Sequence, residues 1–283
     1  MGILTTEQVE AYKQNGFLHP FPMLSAAETS ACLAGLGRFE QWLGAPVTKA
    51  DMKWRSFTYT HLPWVDAIAR DPRILDVVED LIGPDILVWT STFFIKEPMT
   101  PNYAAWHQDS TYFGLEPLEQ VAIWIALTDA SHEAGCMEVL PTHGAGRQMH
   151  HAALRLENSI NGGGQAIVEP FDEGGSSEMA LNAGSFSAHD TLCVHRSAPN
   201  RAAHRRIGLG FNFIPAHVRP NTGRRMPALL VRGTDKGGHF DLLSPPSGEL
   251  EPEGLAQHEE IYTRYRENYR EQEKRHEREF ASA

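Results

Sequence analysis

With 283 residues, 41% apolar and 22% charged, the chain suits one large domain or two small ones and has the composition of a soluble globular protein. Its formal net charge of −11 argues against nucleic acid and against an anionic membrane surface, since both demand clustered Lys and Arg. No apolar run reaches the roughly 18 residues of a membrane span, and no basic segment followed by an apolar run marks a signal peptide at the N-terminus. Cys32, Cys136 and Cys193 are odd in number and far apart, as expected of reduced thiols in a cytoplasmic protein.

In chain order, residues 1–83 read as mostly helical. Thr5 with Gln8, and Ser25 with Glu28, form capping boxes; Gly16 and Gly44 are stop signals. Asp71-Pro72 opens a further helix with Ile74, Leu75, Val78 and Leu81 on one stripe and Gly83 as terminator. From residue 84 to 215 the texture is that of strands, at 85–96, 120–128, 136–140 and 206–214. Short strands between turn signals, without regular alternation with helices, predict a sandwich or barrel. Residues 157–182, with a triple glycine and D-E-G-G-S-S, read as a long connection. Residues 251–280, densely charged with Tyr262, Tyr265 and Tyr269, predict a surface helix laid against the body with a solvated face. One domain over 1–283 is the expected organisation.

Three H-x-[D/E] triplets invite a metal reading: His107/Asp109, His239/Asp241 and His258/Glu260. Residues i and i+2 share a face on a strand and diverge on a helix, so the pair in the charged tail is expected to face solvent. His239/Asp241 follows Lys236-Gly237-Gly238 in loop-like chain with no strand left to supply a third ligand. His107/Asp109 sits between strands, and His195 ends another. In 206–213, Arg206, Gly208, Gly210 and Asn212 share one face, while Ile207, Leu209, Phe211 and Phe213 share the other, which is core. The polar face suits a cavity wall whose two glycines leave room for a ligand, with the Arg206 fork as a carboxylate receptor. Arg205, by parity, faces the apolar side. Two histidines and a carboxylate on one side of an ion are the ligand set of non-haem Fe(II) oxygenases.

With W-H-Q-D at 106–109, W-I-A-L-T-D-A-S-H-E-A-G-C-M-E-V-L-P-T-H at 124–143, and H-R-S-A-P-N at 195–200 followed by Arg206, the chain resembles the phytanoyl-CoA dioxygenase family, including the ectoine hydroxylase-related enzymes, from about Phe17 to Pro215. The resemblance implies a double-stranded β-helix (jelly roll) with flanking helices. It implies Fe(II) held by His107, Asp109 and His195, with 2-oxoglutarate and O2 as co-substrates and succinate and CO2 as products. It further implies Arg206 and Ser197 at the far carboxylate of 2-oxoglutarate, and Trp124 and Gln108 lining that pocket. Halogenating relatives replace the carboxylate ligand, so Asp109 implies hydroxylation or another oxidation of a small-molecule substrate, not halogenation. Tyr103, Tyr112, Phe113 and Arg219 are candidate substrate contacts, with core or surface roles as the alternatives. His143, His150, His151, His189 and His217 read as hydrogen-bonded structural histidines. The rival readings are a jelly-roll metalloenzyme that does not use 2-oxoglutarate, and a non-catalytic binding relative.

Overall fold

The computed structural model describes residues 2–281 except 145, 155, 162 and 163. Helix α1 (Thr6–Asn15) and helix α2 (Ala26–Leu43) each open on a reciprocal capping box, Thr5 with Gln8 and Ser25 with Glu28. Each closes on a left-handed glycine, Gly16 at φ 84° and Gly44 at φ 71°. Helix α3 (Pro63–Ala69) and helix α4 (Pro72–Ile82) begin with proline, which lacks the N–H that a first turn leaves unpaired.

The strands are β1 (Phe17–Pro22), β2 (Ile86–Lys96), β3 (Ala104–His107), β4 (Leu115–Glu116) and β5 (Val121–Ala126). Then follow β6 (Met137–Leu140), β7 (His151–Ala153), β8 (Gln165–Ile167), β9 (Ser177–Met179) and β10 (Ser185–Asp190). The last are β11 (Val194–Ser197), β12 (Arg206–Pro215), β13 (Arg219–Pro220), β14 (Met226–Arg232) and β15 (Phe240–Leu242). Seven form one sheet in the order β1-β10-β5-β12-β2-β14-β15, and four form a second, β3-β11-β6-β9. Strand β1 interrupts the stretch expected to be helical; with two prolines it lies at the sheet edge, where missing donors cost least.

Alternation along the central strands separates two environments. Ile123, Ile125, Leu209 and Phe213 join one core with Leu36 and Phe39 of α2 and Ile74 and Val78 of α4. Trp124, Arg206, Gly210 and Asn212 line an internal cavity of about 160 Å³. Burial of the aliphatic side stabilises the sheet by about 1.5–3 kcal/mol per large side chain and fixes which face carries chemistry. The connection expected over 157–182 contains β8 and β9; Gly162 and Gly163 of the triple glycine lie outside the described residues.

Helix α5 (Pro252–Ala281) lies on the body. His258, expected to face solvent, is fully buried. Its Nε2 lies 3.1 Å from the Lys53 carbonyl and 3.0 Å from that of Ser56, and its ring stacks on Trp54. An alternating-charge pattern hid this, because the turn that receives His258 is some 200 residues earlier in the chain.

Candidate metal centre and its cavity

His195 on β11 and His107 on β3 are directly paired across the antiparallel ladder, which brings their rings to 4.1 Å between centroids. His107 Nδ1 lies 2.7 Å from the Ala105 carbonyl, and His195 Nδ1 lies 3.0 Å from that of Cys193. A carbonyl only accepts, so both Nδ1 atoms carry the proton and both Nε2 atoms present a lone pair. Those lone pairs face Asp109 Oδ1 at 3.8 and 3.7 Å. Two ligand bonds of about 2.1 Å span about 4.2 Å, so one ion fits among the three donors. The ligand atoms all lie within 4.8 Å of one another, and the donor set is that of a 2-His-1-carboxylate triad. Asp109 itself begins a 3₁₀ turn (Asp109–Tyr112) and does not continue the strand of His107, so the sheet end, more than shared strand parity, delivers it.

Burial pushes both imidazoles below the ordinary histidine range, which keeps Nε2 unprotonated as a ligand must be. For Asp109, burial pushes upward, but the surrounding His189, His195 and His107 outweigh it and hold the carboxyl below its usual range. His189 was expected to be a hydrogen-bonded structural residue. It is instead buried against the triad, its Nε2 3.4 Å from Asp109 Oδ2, and neither ring nitrogen makes an aligned hydrogen bond. Oδ1 thus faces the ligand histidines while Oδ2 faces His189.

Arg206 is 3% exposed, lies 5.4 Å over the Trp124 ring, and donates from Nη1 to the Gly135 carbonyl at 2.6 Å while its Nε has no partner. Burial lowers it to about 10, so it stays charged at neutral pH. Lys96, its partner across β2 and β12, is fully buried and donates to Ser197 Oγ at 2.7 Å and to the Ala198 carbonyl. Burial, then Arg206 beside it, push Lys96 down to about 6. Arg206 is therefore a buried, charged guanidinium with no carboxylate partner, beside the Lys96 amine, and forms a receptor that awaits an anion. The space left by Gly208 is not open to a ligand, because a Cβ there would meet the Trp124 ring at 1.9 Å. Arg205 pairs with Glu40 and Glu97 on the other side of the strand.

Ser197, Trp124 and Phe113 line the cavity with the triad. Gln108 does not: its amide donates to the Arg147 and Leu192 carbonyls and accepts from Met149 N, so it braces the loops behind the metal ligands. Tyr112 is buried against Tyr269 and His276, and Tyr103 bridges to Ser159; neither lines the cavity. Arg219 is exposed and paired with Glu116 at 3.0 Å, outside the site. His239/Asp241 forms no metal cluster among the described residues, and Asp241 is taken by Arg225 and Arg264. His143 adopts a left-handed backbone at φ 53°, His150 stacks on Phe280, and His217 pairs with Glu119 on the surface. His151 accepts at Nε2 from the Gln108 backbone N–H and lies by its Nδ1 against the Met149 carbonyl.

His189, Arg55 and the α5 stripe of Tyr262, Tyr265, Arg266 and Tyr269 line the cavity and were not foreseen there, nor was Lys96, which is bonded to the lining residue Ser197. The spacing of 262, 265, 266 and 269 is that of one helix face, which was a usable signal. Lys96 follows from its register with Arg206 and had no local signal.

A family model described as phytanoyl-CoA dioxygenase (PhyH) matches residues 12–208. The chain is 28% identical over 178 residues to phytanoyl-CoA dioxygenase domain-containing protein 1 of Rattus norvegicus, covering 60% of each chain. The match therefore spans about three fifths of that relative's length. It is 24% identical over 223 residues to the ectoine dioxygenase of Bordetella parapertussis, covering 70% of this chain and 71% of that one. A solved structure of the non-heme monooxygenase ThoJ, in its apo form, superposes with a TM-score of 0.81 at 28% identity, covering 93% of this chain and 98% of the other. The structure of EctD from S. alaskensis with 2-oxoglutarate and 5-hydroxyectoine shares the fold, with a TM-score of 0.62 at 16% identity over 86% and 88% of the chains. The two facing sheets are the double-stranded β-helix (jelly roll) of these oxygenases.

Proposed function

Because this chain belongs to the phytanoyl-CoA dioxygenase family of Fe(II)- and 2-oxoglutarate-dependent oxygenases, we propose that it hydroxylates an aliphatic C–H bond of a small-molecule metabolite, releasing succinate and CO2. The observation that carries this is the convergence of His107, Asp109 and His195 in a cavity whose wall also bears Arg206. His107, Asp109 and His195 would hold Fe(II); Arg206 and Ser197 would hold the far carboxylate of 2-oxoglutarate, with Lys96 bonded to Ser197, and Trp124 would wall it. When bound, iron and 2-oxoglutarate supply the oxidising power drawn from O2.

The protein's own part is geometric. Backbone carbonyls orient both imidazoles, Gln108 fixes the loops behind them, and His189 turns the second oxygen of Asp109 away from the ligand cluster. Asp109 fills the position that a halide needs, which favours hydroxylation over halogenation. The unpaired buried Arg206 beside the triad argues against a metalloenzyme that does not use 2-oxoglutarate. One catalytic domain over 1–283 and a cytoplasmic location belong to the same proposal; three unpaired, buried cysteines support the location.

The test is anaerobic loading with Fe(II) and 2-oxoglutarate, then a metabolite library screened for succinate release on admission of O2. Substrate-stimulated succinate that disappears without iron is expected. Product formed without 2-oxoglutarate contradicts the proposal.

A further inference from the structure

Eight arginines are not fully exposed among the described residues: 55, 70, 196, 205, 206, 232, 264 and 266. Five of them pair with carboxylates: Arg70 with Asp66, Arg196 with Glu138, Arg205 with Glu40, Arg232 with Glu79 and Arg264 with Asp241. The three without an acidic partner, Arg55, Arg206 and Arg266, all line the one cavity that holds the triad. In a chain with 36 acidic residues this is not for want of anions. Asp109 is the sole carboxylate among the cavity's lining residues.

2-Oxoglutarate brings two carboxylates. In the family reading above, one goes to the metal and one to Arg206 and Ser197, which leaves Arg55 and Arg266 unneutralised. Arg55 ends the turn Met52–Arg55, and its Nε is buried without a partner. Arg266 lies on α5, 5.3 Å over the Tyr269 ring, a contact that holds the guanidinium without using its hydrogen-bond donors. Tyr262 lies within electrostatic reach of both arginines, and Tyr265 within reach of both Arg266 and Asp109. Tyr262, Tyr265 and Phe57 line the same cavity as the two arginines and the metal ligands. Leaving two half-buried guanidiniums without a counter-charge is costly unless an anion arrives.

We propose that the substrate carries an oxyanion group, a carboxylate or a phosphate, on an apolar body, and that Arg55 and Arg266 bind that group while the body lies along Tyr262, Tyr265 and Phe113 towards the metal ligands. The forked donors of arginine suit both oxyanions, and the apolar lining suits the rest. This substrate class rests on the iron and 2-oxoglutarate reading, and it replaces Arg219 with two arginines inside the site.

The test is calorimetry on the full chain loaded with Ni(II) and 2-oxoglutarate, titrated with octanoate, octyl phosphate and octanol. At least one anion is expected to bind about tenfold or more tightly than octanol, and whichever binds better identifies the group. Arg55→Gln and Arg266→Gln are each expected to remove most of that preference, with melting temperatures near wild type. Octanol binding as well as the anions, no anion binding at millimolar concentration, or variants that keep the preference would each overturn the proposal. Loss of 2-oxoglutarate affinity in Arg55→Gln with octanoate affinity intact would assign Arg55 to the co-substrate and overturn it too. If instead the wild type takes up neither Ni(II) nor 2-oxoglutarate, the family reading itself fails, and the two failures are told apart.

Discussion

The two ends of the cavity are built differently. At the inner end, His107, His195, Ser197 and Arg206, with Lys96 bonded to Ser197, all stand on paired strands, are almost wholly buried, and are fixed by register and by backbone carbonyls. At the outer end, Arg55 and the α5 residues Tyr262, Tyr265 and Arg266 come from a short turn and a helix, and are half-buried. Sheet ladders hold side chains more tightly than a turn and a helix face, so the inner end suits an invariant reaction and the outer end suits a choice of substrate.

That contrast is open to attack, most strongly at the metal. Asp109→Ala is expected to cut both Fe(II) affinity and succinate release by on the order of a hundredfold or more, read by metal titration and by product assay. Full succinate release from this variant would sink the inner-end account. Arg206→Ala comes next. The 2-oxoglutarate concentration for half-maximal turnover should rise by roughly a hundredfold, because a buried charge partner is removed, while metal affinity holds. His189→Phe should weaken metal binding by about tenfold, the scale of a residue that orients a ligand, with partial recovery in His189→Gln. Equal Co(II) affinity and equal visible spectra for wild type and His189→Phe would leave His189 with packing alone.

The smallest effect concerns the support of the outer end. His61 and His258 touch at 4.8 Å between ring centroids and, with Trp54, underpin the turn that carries Arg55. Burial, then His258, lower His61 to about 3. Its unfolded value is near the ordinary 6.5, so between those values the unfolded chain binds more protons than the folded one. Stability is then fully present above pH 6.5 and declines as pH falls towards 3. Melting curves should show this decline, and His61→Phe should flatten it; an unchanged slope in that variant would assign the acid sensitivity elsewhere.

Much of the inner end was legible in the sequence, since period-two alternation through 206–213 distinguishes Arg206 from Arg205 without any knowledge of the partner strands. Helix limits at Gly16, Gly44 and Gly83 were readable because capping is local chemistry. What escaped depends on long-range register. Lys96 gains meaning only opposite Arg206, His189 only beside Asp109, and His258 only beneath Trp54. The 251–280 segment was legible as a helix laid against the body, but not in which residues it turns inward. Its mixed charges describe the solvent side of the helix, while the stripe at 262, 265, 266 and 269 describes the other side, and composition averages the two.

Helix α5 begins at Pro252, well beyond residue 208 where the family match ends, yet its stripe lines the cavity. Helical rise ties those four side chains to one rigid rod, so a slip of a single turn would carry all of them about 5.4 Å along the cavity together. Preference for a longer or shorter molecule can therefore drift through this one segment while every donor to the ion stays in place.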